Sequence, residues 1–185
     1  LQFGKDYQGA RDNYVYVYAT VLQTYAWGTQ MPGEFVLLRV PKTGLENVSM
    51  YEFYAGMDPS GNPRWGTFAE RAPVFTDPNG VVIASAIYDP GLGRYILTTC
   101  HSNWNSGHLG VFDAPEPWGP WTPAAYFTGW PSGGEVGRST FYGNFSPKWW
   151  SNGGKDFTYV FTGSGENDSW NSVRGRFVLA NPDTT

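Results

Sequence analysis

The stretch HLGVFDAPEPWGPWT, residues 108–122, holds two tryptophans, three prolines and two acids between segments that read as strands. Proline removes a backbone donor and fixes one dihedral, so Pro115, Pro117 and Pro120 are excluded from the interior of a sheet. The stretch therefore predicts a strand, a sharp outer corner and a second strand. Trp118 and Trp121 are expected to clamp that corner against its own sheet.

Working outward, runs rich in aromatic and β-branched residues recur along the chain. They are YVYVYAT (14–20), EFVLLRV (34–40), SMYEFYAG (49–56), VVIASAIY (81–88), RYILTTC (94–100), HLGVF (108–112), AAYFTGW (124–130), STFYGNF (139–145), DFTYVFTG (156–163) and GRFVLA (175–180). Clusters of Gly, Pro, Asn and Asp bound each run and supply turn geometry. No stretch of ten or more residues keeps a helical period free of Gly or Pro, so the fold class is all-β.

Three segments share one plan, a polar-tipped strand, a turn and an aromatic strand: LQFGKDYQGARDNYVYVYAT, VVIASAIYDPGLGRYILTTC and STFYGNFSPKWWSNGGKDFTYVFTG. The first two are followed by a third and a fourth strand. Units of four strands repeating about every 60 to 80 residues predict a β-propeller with about three blades, approximately 1–57, 81–130 and 139–180. A twisted sheet has two apolar faces that it cannot bury alone, which accounts for most of the aromatic residues as packing between blades.

Composition narrows the function classes. Charged residues make up 15% of the 185-residue chain and the net charge is -4, with no basic run to serve as a footprint for nucleic acid or anionic lipid. No apolar run approaches the roughly 20 residues of a membrane span. Cys100 stands alone, which excludes an internal disulfide and a zinc site built on paired cysteines. Cys100, His101 and His108 lack a fourth ligand at a familiar spacing, so neither a metal nor any other cofactor is expected.

The segment YDPGLGRYILTTCHSNWNSGHLGVFDAPEPWGPWT resembles the blade pattern of five-bladed propeller glycosidases of the arabinanase and β-xylosidase type. QFGKDYQGARDNYVYVYAT, NPRWGTFAERAPVF and FTGSGENDSWNSVRGRF resemble more specifically a bacterial secreted propeller family classed as domain of unknown function 4185. Nearly the whole chain takes part in the resemblance, and it looks like the last three blades of such a ring. The resemblance implies a carbohydrate partner, a secreted or periplasmic location with upstream sequence absent, and self-association to cover the open ends of the stack.

In that family the innermost strand of each blade lines a central pocket. Carried over, QFGKDYQ, ASAIYDP and TFYGNFS nominate Lys5, Asp6, Ser85, Tyr88, Tyr142 and Asn144. Loops between blades add Arg11, Asp12, His101, Asn103, Trp104, Glu135 and Arg138. Glycoside hydrolysis requires two carboxyl groups, about 5 to 5.5 Å apart for retention or about 6.5 to 9.5 Å for inversion. Asp6, held ionised beside Lys5, is the candidate base or nucleophile, and Glu135 the candidate acid.

Each nomination competes with a structural role. Asp12 and Asn13 precede YVYVY, where such side chains serve backbone hydrogen bonding, and DPSGN (58–62), DPNG (77–80) and Asp89-Pro90-Gly91 read as turns. Arg11 can pair with an acid or lie over an aromatic ring.

A glycoside hydrolase-like propeller acting on a polysaccharide is the leading reading; in the enzymes it resembles the essential acids lie on the first three blades, so the resemblance implies that this chain alone is incomplete for catalysis. The alternative is a non-catalytic, lectin-like module in which Trp27, Trp65, Trp104 and Trp130 stack on sugar rings. Lyase chemistry by Tyr88 or Tyr142 with His101 and Arg138 is a minor third, and a scaffold fragment without ligand a fourth.

Overall fold

The computed structural model describes residues 10–25, 28–102, 108–129, 141–163 and 169–180, without the side chains of Phe141 and Tyr142. These residues form three antiparallel sheets, and the described helical content is four 3₁₀ turns of three residues each. The chain is all-β, as its turn-bounded runs predict.

The first sheet holds β1 (Tyr14–Thr20), β2 (Gly33–Pro41), β3 (Glu52–Met57), β4 (Pro63–Gly66) and β5 (Pro73–Asp77). Its ladder runs β1-β2-β3-β4, and β5 returns to pair with β2. One edge of β2 is thus shared, with Leu38 and Arg39 facing β3 and Gly33 to Val36 facing β5. The sheet continues past residue 57, where the sequence reading ended its first unit. Proline opens both added strands, which disguised them.

The second sheet, β6 (Ala84–Asp89), β7 (Arg94–Thr99), β8 (Leu109–Ala114) and β9 (Thr122–Phe127), is a meander of consecutive strands. The proline-rich corner joins β8 to β9, where the opening stretch places it. The third sheet comprises β10 (Phe141–Phe145), β11 (Asp156–Thr162) and β12 (Trp170–Arg176). Here the predicted strand 175–180 is displaced. The ladder aligns Thr162 with Trp170 and Asp156 with Arg176, and beyond Arg176 β11 offers no partner.

Side-chain alternation along β7 fixes the stacking order, because successive residues of a strand point to opposite faces. Leu97 enters a cluster with Phe35, Phe75 and Phe112 on the side of the first sheet. Ile96 enters another with Phe145, Tyr159 and Phe161 of the third. The second sheet therefore lies between the other two. A continuous apolar run such as YIL is what a strand covered on both faces requires.

The corner tryptophans reach beyond their own sheet. Trp118 packs edge-on to Trp65 at 6.0 Å between ring centroids, in a cluster with Tyr16, Leu37 and Tyr54. Trp121 meets Tyr18 edge-on at 6.1 Å. The expected clamp of the corner on its own sheet is corrected: these rings fasten the second sheet to the first. Tyr18 completes the junction by donating its hydroxyl to the Pro117 carbonyl at 2.6 Å.

Candidate functional site

Strands β1, β6 and β10, each at an end of its sheet's ladder, come together around an open cavity of about 330 Å³. Val17 and Tyr18 come from β1, Ser85 and Ala86 from β6, and Gly143 and Asn144 from β10. The Ser85 hydroxyl donates to the Asn144 side-chain carbonyl, joining two residues 59 positions apart. Both were nominated from the sequence, and the structure brings them to one wall.

Gly143 makes this approach possible. A methyl group in place of its hydrogen would run into the hydroxyl of Tyr159, a buried ring of β11. Burial raises the Tyr159 phenol far above its ordinary range, so it stays neutral behind the wall. Among the described residues the cavity is lined by a hydroxyl, an amide and apolar groups, and no carboxylate lines it.

Other nominated residues take structural roles. Arg11 makes a two-pronged contact with Glu116, and its second hydrogen bond from Nη1 goes to the Pro115 carbonyl at 2.9 Å. That hydrogen-bonded carboxylate raises the Arg11 guanidinium further, fixing its charge. Its carbon lies 5.6 Å from the Tyr88 ring centre and 5.8 Å from that of Tyr95. Tyr88 is thereby held in an aromatic and cationic cluster rather than in the cavity, which corrects its assignment. The reason is alternation: Ser85 and Tyr88 lie on opposite faces of β6.

Asp12 takes the turn role that was weighed against its nomination. Its carboxylate accepts from the Tyr14 backbone N–H at 2.8 Å and the Tyr16 hydroxyl at 2.6 Å. Burial, with Asp12 as second cause, pushes the Tyr16 phenol far up. Trp65, a candidate sugar platform, is half-buried and taken up by packing: the Arg39 guanidinium stands 4.0 Å from its ring centre, and the rings of Tyr16, Tyr54 and Trp118 lie against it.

His101 is fully buried and stacks on Tyr126 with centroids 3.9 Å apart and an interplanar angle of 11°. The Tyr126 hydroxyl donates to Asp77, with oxygen distances of 2.8 and 3.1 Å, while Asn79 donates to that hydroxyl. Burial, chiefly, pushes the phenol up to about 12. This network ties β5 to β9 across the first seam. His101 is thus packed away from the cavity around Ser85, which corrects its nomination as a ligand contact.

Lys5, Asp6, Asn103, Trp104, Glu135 and Arg138 lie outside the described residues, as do Trp27, Trp130 and the side chain of Tyr142. Among the described residues no group of three or more His, Cys, Asp or Glu side chains is placed to hold a metal ion. The sequence reading missed Val17, Tyr18 and Gly143 in the cavity. The glycine between two aromatic-flanked strand positions was the available signal, since an interior strand glycine marks a close approach.

Comparison with known proteins adds little to this geometry. No protein-family model matches the chain. No curated protein matches it in sequence. Among solved structures, one described as a "putative hydrolase" from Bacteroides ovatus is similar over 85% of this chain, with a TM-score of 0.49 and 14% identity. The chain spans 37% of the length of that structure.

Proposed function

We propose that the three sheets are consecutive blades of a β-propeller allied to the arabinanase and β-xylosidase type, and that the cavity between their inner strands binds a sugar residue. The contact between Ser85 and Asn144 carries the reading. It sets a hydroxyl and an amide, the groups that recognise sugar hydroxyls, on the strands that would surround a propeller axis. A cavity of about 330 Å³ falls within the roughly 300 to 1,000 Å³ of small-molecule sites.

Within this reading the chain is glycoside hydrolase-like, with Asp6 as base or nucleophile and Glu135 as acid. Its substrate class is a polysaccharide. The test is reducing-sugar release from arabinan, xylan and arabinogalactan by the full chain and by Asp6→Asn and Glu135→Gln. Turnover lost in both variants, with binding of the same polymer retained, supports catalysis by this pair.

A second reading is favoured by one observation: the described lining contains no carboxylate. On it the module binds sugar without cleaving it. Binding that Asn144→Ala abolishes, with no turnover on any of these polymers, selects that reading and rejects the first. Self-association and a location outside the cytoplasm belong to the same proposal, and light scattering at several concentrations tests the former.

A further inference from the structure

A second cleft, of about 680 Å³, opens on the third sheet away from the central cavity. Lys148 and Trp149 border it on one side, and Thr158, Asp156, Arg174 and Arg176 on the other. Its charge runs against that of the chain. The net charge of the protein is -4, yet three cations and one anion line this cleft.

Arg176 is neutralised by a two-pronged contact with Asp156. Lys148 and Arg174 have no carboxylate partner among the described residues. Two uncompensated cations therefore face one concave surface. Arg174 stands opposite Thr158 in the ladder, so a regular sheet fixes its position.

Trp149 supplies a different kind of contact. Although large and apolar, it is 45% exposed at the end of the 3₁₀ turn Pro147–Trp149. The Ser146 hydroxyl caps that turn by accepting from the Lys148 backbone N–H at 3.4 Å. An exposed indole held on a capped turn next to free cations suits a ligand that has both a flat apolar face and a negative group. The C–H face of a pyranose packs against the electron-rich face of an indole, and a carboxylate or sulfate takes charge-assisted hydrogen bonds from guanidinium and ammonium.

We infer that this cleft is a binding site for an acidic saccharide, with the sugar face on Trp149 and its anionic group on Arg174 and Lys148. The inference does not rest on the central cavity or on any catalysis there, and it requires that self-association leave the outer face of the third sheet open. Polyphosphate chains fit the surface less well. Nucleic-acid affinity grows with the number of neutralised phosphates, and two free cations on a net-negative chain provide few.

The test is calorimetric titration of the full chain with hexagalacturonate, with dextran sulfate and with a neutral galactan oligosaccharide of matching length. The acidic probes are expected to bind and the neutral one not to bind at this cleft. Arg174→Gln and Trp149→Ala should each weaken acidic binding about ten-fold or more, and added salt should weaken it further. Preference for hexagalacturonate assigns the cleft to uronates, and preference for dextran sulfate assigns it to sulfate esters. Should Trp149→Ala alter the melting curve, Lys148→Gln on the exposed turn gives the same reading.

Unchanged affinity in Arg174→Gln and Trp149→Ala would overturn the assignment. So would a lack of binding by either acidic probe, or tighter binding of single-stranded DNA than of both.

Discussion

Arg11 and Glu116, 105 residues apart in sequence, are joined by two parallel contacts of 2.9 Å. The pair fastens the segment before β1 to the proline-rich corner of the second sheet. Both side chains are more than a third exposed, so solvent screens the pair and its geometry is what gives it value. A double-mutant cycle with Arg11→Ala and Glu116→Ala, read by urea unfolding, should return a coupling of about 0.5 to 1 kcal/mol that shrinks in high salt. Zero coupling would show that the corner holds without this link.

The sequence displayed the second sheet almost completely and the first only in part. Strands β6 to β9 pair in the order in which they follow one another in the chain, and each holds β-branched or aromatic residues. Strand β5 breaks that logic, since Pro73 opens it and its partner Phe35 lies two strands upstream of its predecessor. At the site, Ser85 and Asn144 were legible as polar positions on inner strands. The structural roles of Arg11 and Asp12 were legible too, as an acid-pairing cation over aromatic rings and a turn acid; the places of Tyr88 and His101 were not, because residue type and position do not tell which face of a twisted strand or turn a side chain will take.

Asp89 is fully buried at the β6–β7 turn, where its Oδ1 accepts from the N–H groups of Gly91 and Leu92. Burial raises its carboxyl above the ordinary range, against the pull of those two donors. The folded chain therefore holds the Asp89 proton to higher pH than the unfolded chain does. This residue's contribution to stability is greatest in acid and falls as pH rises from about 4 through its raised value. Denaturation curves of Asp89→Asn, which keeps the acceptor, should lack that decline relative to the parent. Asp89→Ala should cost about 1 to 3 kcal/mol by orphaning two turn donors.

His101 carries the opposite sign. Burial lowers its imidazole, His108 adds to the effect, and Asp77 opposes it. The unfolded chain takes up a proton near pH 6.5 while the folded chain resists, so stability present above that value is lost on acidification. His101→Phe keeps a ring against Tyr126 and removes the titration. Unfolding free energies at pH 7.5 and 5.5 should differ less in this variant than in the parent. An equal difference would rule out His101 as the source.

Gly143 tests the cavity wall. Gly143→Ala forces the added methyl onto Tyr159 and should destabilise the protein by about 1 to 3 kcal/mol, the usual cost of overpacking. It should also displace Asn144 from Ser85 and weaken any ligand held there. Thermal unfolding and ligand titration of the same variant check both effects. An unaltered melting temperature would show that the wall between β10 and β11 has room for the methyl group.

The outermost strand of each ladder presents backbone groups that could template another chain. Pro63 and Arg64 lie in β4, Pro123 in β9, and Arg174 and Arg176 in β12. Proline removes a donor from an edge, and charge there resists docking of a second strand. Among the described strands these edges are thereby poorer templates for a second chain, a guard against aggregation written into the margins of the sheets rather than their core.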